Sequence, residues 1–330
     1  MTSALRSPSE AIEEAPSETP LALRRASTGH DRIFLGILYG ASAIVLLIIS
    51  GILLFLAWNG WPALHYSGLH IITSQHYAPT GTHPSFGLLG VLVGTISIAV
   101  IALLVGVPIA VSAALMINEY APRKIRRVLT SLVDLLAVLP SLLYGLWGHI
   151  VLSPEVSNIL VWLSHHADFF PLFRDPELEY VGSIFLCGLV VGIMIIPIVT
   201  SVSREVMSQV PRDTCEAALA LGGTRWGMVT DVILPFAKNG IVGGILLGLA
   251  RALGETVAVL IILSQTNVIQ WHILEPGGGD IPALIANLFV SVPHLAKSSM
   301  TFAGLLLFVT IFVLNLIARR IVGRPKVSIA

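Results

Sequence analysis

Two opposite charges four residues apart, Arg251 and Glu255, lie inside the apolar run IVGGILLGLARALGETVAVLIIL at 241–263. A guanidinium presents a planar fork of donors that matches the oxygens of an oxyanion. A carboxylate at i+4 shares its helix face, can hold the fork in place and can keep an anion from being trapped. Each charge at a bilayer centre costs ~2.5 to 3.5 kcal/mol on insertion scales, so the pair must face a packed neighbour or a wet pathway, away from lipid. Gly240, Gly244 and Gly248 form a small-residue stripe ending one turn before Arg251, which suits close helix contact. Two roles are open to the pair: a contact for a passing oxyanion, or an ion pair that locks helices together.

Other chemistry is thinly represented. His65, His70, His76, His83, His149, His165, His166, His272 and His294 fall in or beside loops on one side of the apolar segments. His165, His166 and Asp168 carry metal-ligating groups, but adjacent histidines point in different directions, so they read as polar loop residues and no metal is expected. Cys187 sits in an apolar segment and Cys215 in a polar loop, which suggests neither a disulfide framework nor a paired metal site. No H-E-x-x-H, G-x-S-x-G or Walker-type glycine loop occurs, so the chain is not expected to be an enzyme or to bind a cofactor, and energy must come from elsewhere. A secondary transporter would need coupling acids in several spans, yet only Asp134 and Glu255 are found in them.

The elements that hold these residues are membrane helices. Hydrophobic residues make up 55%, charged residues 12%, and mean hydropathy is +0.86, which marks an all-α polytopic membrane protein. Residues 1–32, rich in Pro, Ser and Glu, read as a disordered tail. The apolar runs predict six transmembrane helices at about 33–58, 86–117, 128–151, 181–202, 241–263 and 299–317 within a permease domain over 33–330. Pro108 is a candidate kink in the second, and Gly90 and Gly94 give it a small-residue face. In the third, Asp134 reads as a headgroup-level carboxylate, while Pro140 and Gly145 permit a bend or close packing.

Sixteen of the nineteen Lys and Arg residues lie in the tail, the loops after the second and fourth spans, and the C-terminus; Arg174 and Lys297 alone lie in the opposite loops. That bias places both termini and the 203–240 loop in the cytoplasm. In this loop Asp213 and Glu216 have capping-box spacing, Gly222 and Gly223 stop the helix, Thr224 offers the next cap, and Pro235 closes a second short helix. The result is a rigid knob presented to the cytosol.

Glu216, Ala217, Ala218, then Gly222, then Val232, Leu234 and Pro235 reproduce the EAA pattern of bacterial ABC-importer permeases. With INEYAPRKIRR at 117–127, LPSLLYGLWG at 139–148 and LARALGET at 249–256, the chain from about residue 32 onward resembles the permeases of phosphate ABC importers, most of all their PstC-type subunit. The resemblance implies a type I permease fold with a cytoplasmic coupling helix, in the bacterial inner membrane. It also implies a second permease subunit completing the pore, two ATPase subunits that hold ATP and Mg, and a periplasmic or extracellular phosphate-binding protein. Glu216, Ala217, Ala218, Gly222 and Pro235 would belong to the ATPase coupling loop, and Arg251 and Glu255 to the phosphate pathway. The sister phosphate permease and permeases for sulfate or molybdate are the alternatives.

Overall fold

The computed structural model describes residues 29–80, 83–166, 182–290 and 292–322. Residues 1–28 of the expected tail, Asp168, Arg174, Arg324 and Lys326 lie outside the described residues. Contacts separate two units, Met1–Ile52 and Leu53–Ala330. In the first, the described part is the leading portion of α1 (Gly29–Ser67), whose side chains from Arg32 to Ile52 are all exposed. Its apolar residues run around the whole circumference, as suits a helix facing lipid.

The second unit is built on α3 (Leu89–Leu115) and α7 (Ile184–Ser208), packed along their lengths. Ile98, Ala102, Val190, Val191 and Ile195 form their buried seam. α10 (Leu234–Leu253) runs antiparallel along α7. The small-residue stripe explains how: Cβ atoms added at Gly240, Gly244 and Gly248 would meet Val206, Val202 and Val199 in turn. The close helix partner expected for that stripe is therefore α7.

One end of the unit is closed by the tail of α1, α2 (His70–Thr73), a hairpin of β1 (Tyr77–Ala78) and β2 (Ser85–Phe86), and parts of α12 (Ile281–Leu288) and α13 (His294–Val322). Ile71, Phe86, Leu88, Ile281 and Met300 are buried there. At this end the backbone of the 264–280 segment rests directly on Gly90 and Gly94, against Asn267 and Gly279. The small face of α3 thus receives a loop.

Two of the six predicted spans are not single helices. The third is α4 (Arg123–Val138) followed, after a 93° bend, by α5 (Ser141–Trp147), a wide π turn and α6 (Ser153–His166). Pro140 has no N–H to give to Leu136, and its ring would strike that carbonyl in a continuous helix. The fifth stops at Leu253 and resumes as α11 (Val257–Ile262) beyond Gly254–Thr256. Among the described residues, five helices are long and apolar enough to cross a membrane, and six spans result when the bent pair is taken as one.

Candidate functional site

The exposed knob is α8 (Arg212–Ala220), followed by α9 (Arg225–Met228). Its start differs from the expected capping box: Pro211 occupies the cap position and no side chain accepts there. Proline with φ near −60° already sets the helical entry, and Asp213 falls inside the first turn, where its charge favours the helix N-terminus. The other end matches expectation. Gly222 has φ +85°, its N–H donates to Leu219 O at 3.0 Å, and Gly223 N–H donates to Ala218 O at 3.1 Å. These two bonds form a Schellman stop, which needs the left-handed residue that glycine supplies.

Thr224 accepts from Gly227 N–H at 3.0 Å and caps α9 as expected. Pro235 does not end a helix. It lies in the first turn of α10, and α9 passes through a π turn at Val229–Ile233 into α10, whose wider ladder has no use for the missing proline N–H. Arg225–Leu253 is consequently one continuous apolar helix.

Glu216 and Ala217 are exposed, and Ala218 is half-buried against the cluster of Met207, Val210, Met228, Val229 and Ile233. Leu221 is 90% exposed, an apolar tip that the EAA spacing alone did not single out. Burial raises the Cys215 thiol above its usual range, and the carboxylates of Glu119 and Glu216 raise it further.

The second cluster lies where the two broken helices meet. Arg251 is in the last turn of α10, and its Nε is buried without a hydrogen-bond partner among the described residues. Glu255 is 7% exposed. Because α10 ends before it, Glu255 leaves the i, i+4 register, and its Oε1 accepts from Ala258 N–H at 3.4 Å at the start of α11. Among the described residues the two charges form no ion pair; the close contact of this kind is His272 Nδ1 with Glu275 Oε1, at 2.6 Å.

Three neighbours escaped the sequence reading. Tyr144 is buried within electrostatic reach of Arg251 and donates to Leu136 O at 2.9 Å. Asp280, 2% exposed, caps α12 by accepting from Ala283 N–H at 3.1 Å. Thr95 accepts from Ile281 N–H at 3.0 Å. Asp280 followed by Ile281 and Pro282 is a legible helix start; nothing marked Tyr144. Burial pushes the Asp280 carboxyl up to about 7, opposed by its bonds to Ala283 and Thr95 and assisted by the nearby Glu255 charge.

The remaining expected residues are dispersed. Asp134 accepts from Ser201 at 3.0 Å. Gly145 packs on α11, where an added Cβ would lie 2.9 Å from Ala258 Cα. His165 and His166 end α6, and the His166 ring stacks on Trp162 at 4.5 Å.

Long apolar helices broken around buried charges, with an exposed short helix between two spans, are the architecture of a multi-pass membrane protein. The chain belongs to the family of binding-protein-dependent transport system inner membrane components, whose model matches residues 106–327. It is 38% identical over 275 residues to the phosphate transport system permease protein PstC of Mycobacterium leprae, covering 82% of this chain and 86% of that one. It is 36% identical over 313 residues to PstC 2 of Mycobacterium tuberculosis, covering 93% and 96%. Among solved structures it is similar in fold to a chain of the bacterial alginate ABC transporter in complex with alginate pentasaccharide-bound periplasmic protein. That match has a TM-score of 0.58 and 18% identity, and covers 89% of this chain and 96% of that one.

Proposed function

We propose that this chain is the permease subunit of an ATP-driven importer that moves inorganic phosphate across the cytoplasmic membrane by alternating access. The observation that carries the substrate is the 36% identity, over 93% of the chain, to a relative named as a phosphate transport permease. Separate ATPase subunits, holding ATP and Mg, supply the work; a second permease subunit completes the pore; a phosphate-binding protein delivers the solute. This chain binds no cofactor and catalyses no reaction. Both termini face the cytoplasm, as the bias of basic residues favours.

Glu216 to Gly222 docks in an ATPase subunit, with Leu221 as an apolar anchor. Motion enters there and passes along the unbroken helix Arg225–Leu253. At ~1.5 Å per residue, Arg225 and Arg251 are separated by roughly 39 Å, so a tilt at the ATPase reaches the charged break directly. Rocking about the breaks at Pro140 and Gly254 then biases the pore between inward and outward states. Arg251, whose Nε lacks a protein partner among the described residues, contacts a passing phosphate. Glu255 keeps that contact from becoming a trap.

Labelled-phosphate uptake by reconstituted complexes carrying the binding protein tests the substrate. Unlabelled phosphate should abolish the signal and a hundredfold excess of sulfate should leave it. Equal competition by sulfate would replace this reading with that of a general oxyanion permease.

A further inference from the structure

α8 has no buried residue and is seated on the unit through Cys215 and Ala218, which pack against the cluster that includes Met207 and Met228. A cavity borders each end of the helix. One, of about 280 Å³, joins Arg212 and Cys215 of α8 to Asn118, Glu119 and Arg126. The other, of about 210 Å³, joins Leu219 of α8 and Arg225 of α9 to Glu119 and Tyr120. Glu119 lines both.

The corner that carries Glu119 is firmly held. A π turn, Met116–Tyr120, ends α3 with Ile117 buried, and Ala121 N–H donates to Met116 O at 2.9 Å. Arg126, near the start of α4, donates to the carbonyl of Asn118, and Asn118 Nδ2 donates to Glu119 Oε1 at 2.6 Å. Arg126 is thereby committed to its own corner, whereas Arg212 and Arg225 belong to the coupling loop. Among the described residues Glu119 forms no ion pair with any of the three. Its charge nevertheless reaches α8, where it raises the Cys215 thiol. One carboxylate on a fixed corner thus faces an arginine of the moving loop across each cavity, and Coulomb attraction of this kind strengthens as the charges approach.

We infer that Glu119 is a positioning residue for coupling: its charge holds the α8–α9 loop through Arg212 and Arg225 and passes the tilt of that loop to α3. A tilt about the Cys215–Ala218 seat narrows one cavity and widens the other, so one arginine nears Glu119 as the other withdraws. Motion then enters α3 as well as the helix Arg225–Leu253, and both of these pack on α7. This role deepens the proposed permease function and rests on the docking of α8 in an ATPase subunit.

Phosphate moved per ATP hydrolysed, in the reconstituted importer with its binding protein, tests it. Glu119→Gln keeps an acceptor for Asn118 and loses the charge. The ratio should fall at least threefold while stimulated ATP hydrolysis stays within about twofold of wild type. Glu119→Asp should keep at least half of the ratio. Glu119→Lys should cut it at least tenfold, and adding Arg225→Glu should raise it at least threefold again. A wild-type ratio in Glu119→Gln, or no recovery on charge exchange, would overturn the role. So would a Glu119→Gln complex that fails to assemble, which would make the residue a structural part of the corner. Equal falls in hydrolysis and uptake would also overturn it, by assigning Glu119 to ATPase docking. Each of these outcomes leaves wild-type transport intact, whereas a wild-type complex that moves no phosphate would sink the permease reading itself.

Discussion

Tyr144 donates its hydroxyl to the carbonyl of Leu136 at 2.9 Å across the bend at Pro140. Leu139 N–H reaches the same carbonyl at only 3.3 Å, and Pro140 has no N–H to offer. The phenol is therefore the better of the two donors holding the 93° turn in place. Tyr144→Phe keeps the ring and its packing but removes that bond, which should lower stability by about 0.5 to 1.5 kcal/mol. Thermal unfolding of the purified complex checks the loss; an unchanged midpoint would make the bond incidental.

The α7–α10 contact predicts a contrast between two glycines of one helix. A Cβ at Gly248 would stand 2.9 Å from Val199, whereas nothing lies within 4 Å of one at Gly243. Gly248→Leu should therefore push the helices apart and cost about 1 to 3 kcal/mol. Gly243→Ala should be neutral or stabilise by up to about 1 kcal/mol, through the helix preference alone. The yield and melting temperature of assembled subunit should separate the two variants.

Gly222 should tolerate asparagine and reject valine. Its φ of +85° is accessible to Asn but strained for a β-branched residue by roughly 1 to 2 kcal/mol. Gly222→Val should leave the chain inserted while cutting phosphate uptake at least tenfold, and Gly222→Asn should retain most of it. Equal uptake by both variants would contradict a docking role for the end of α8.

Asp280 should make stability depend on pH. Its folded carboxyl titrates at about 7 against an ordinary 3.8, so between those values the folded chain binds more protons than the unfolded one. Stability from this group therefore falls as pH rises from about 4 to 7. Asp280→Asn, which can still cap α12, should flatten that part of the melting-temperature profile, between about pH 4 and 7. An identical slope in both proteins would contradict the assignment.

Much of this architecture is written in apolar run length, because a bilayer demands some twenty apolar residues per helix. The end of α8 is equally plain, since Gly222–Gly223 carries its backbone geometry in its composition. Breaks are harder to see. Gly254 interrupts a run that is long and apolar enough for one helix, so Arg251 and Glu255 looked like one i, i+4 pair when they belong to different segments. Pro235 misled in the opposite direction, because a π turn absorbs a proline that would otherwise end a helix. Tyr144 carried no signal at all: its importance arises from the Leu136 carbonyl and Arg251, which the bend and the fold bring to it.

The most direct test of coupling from α8 to a phosphate contact at Arg251 is Arg251→Gln in the assembled, reconstituted importer, with ATPase activity and labelled-phosphate uptake measured together. Loaded binding protein should still stimulate ATP hydrolysis within about twofold of wild type, while uptake falls at least tenfold. Full phosphate uptake by the correctly assembled variant would contradict the account.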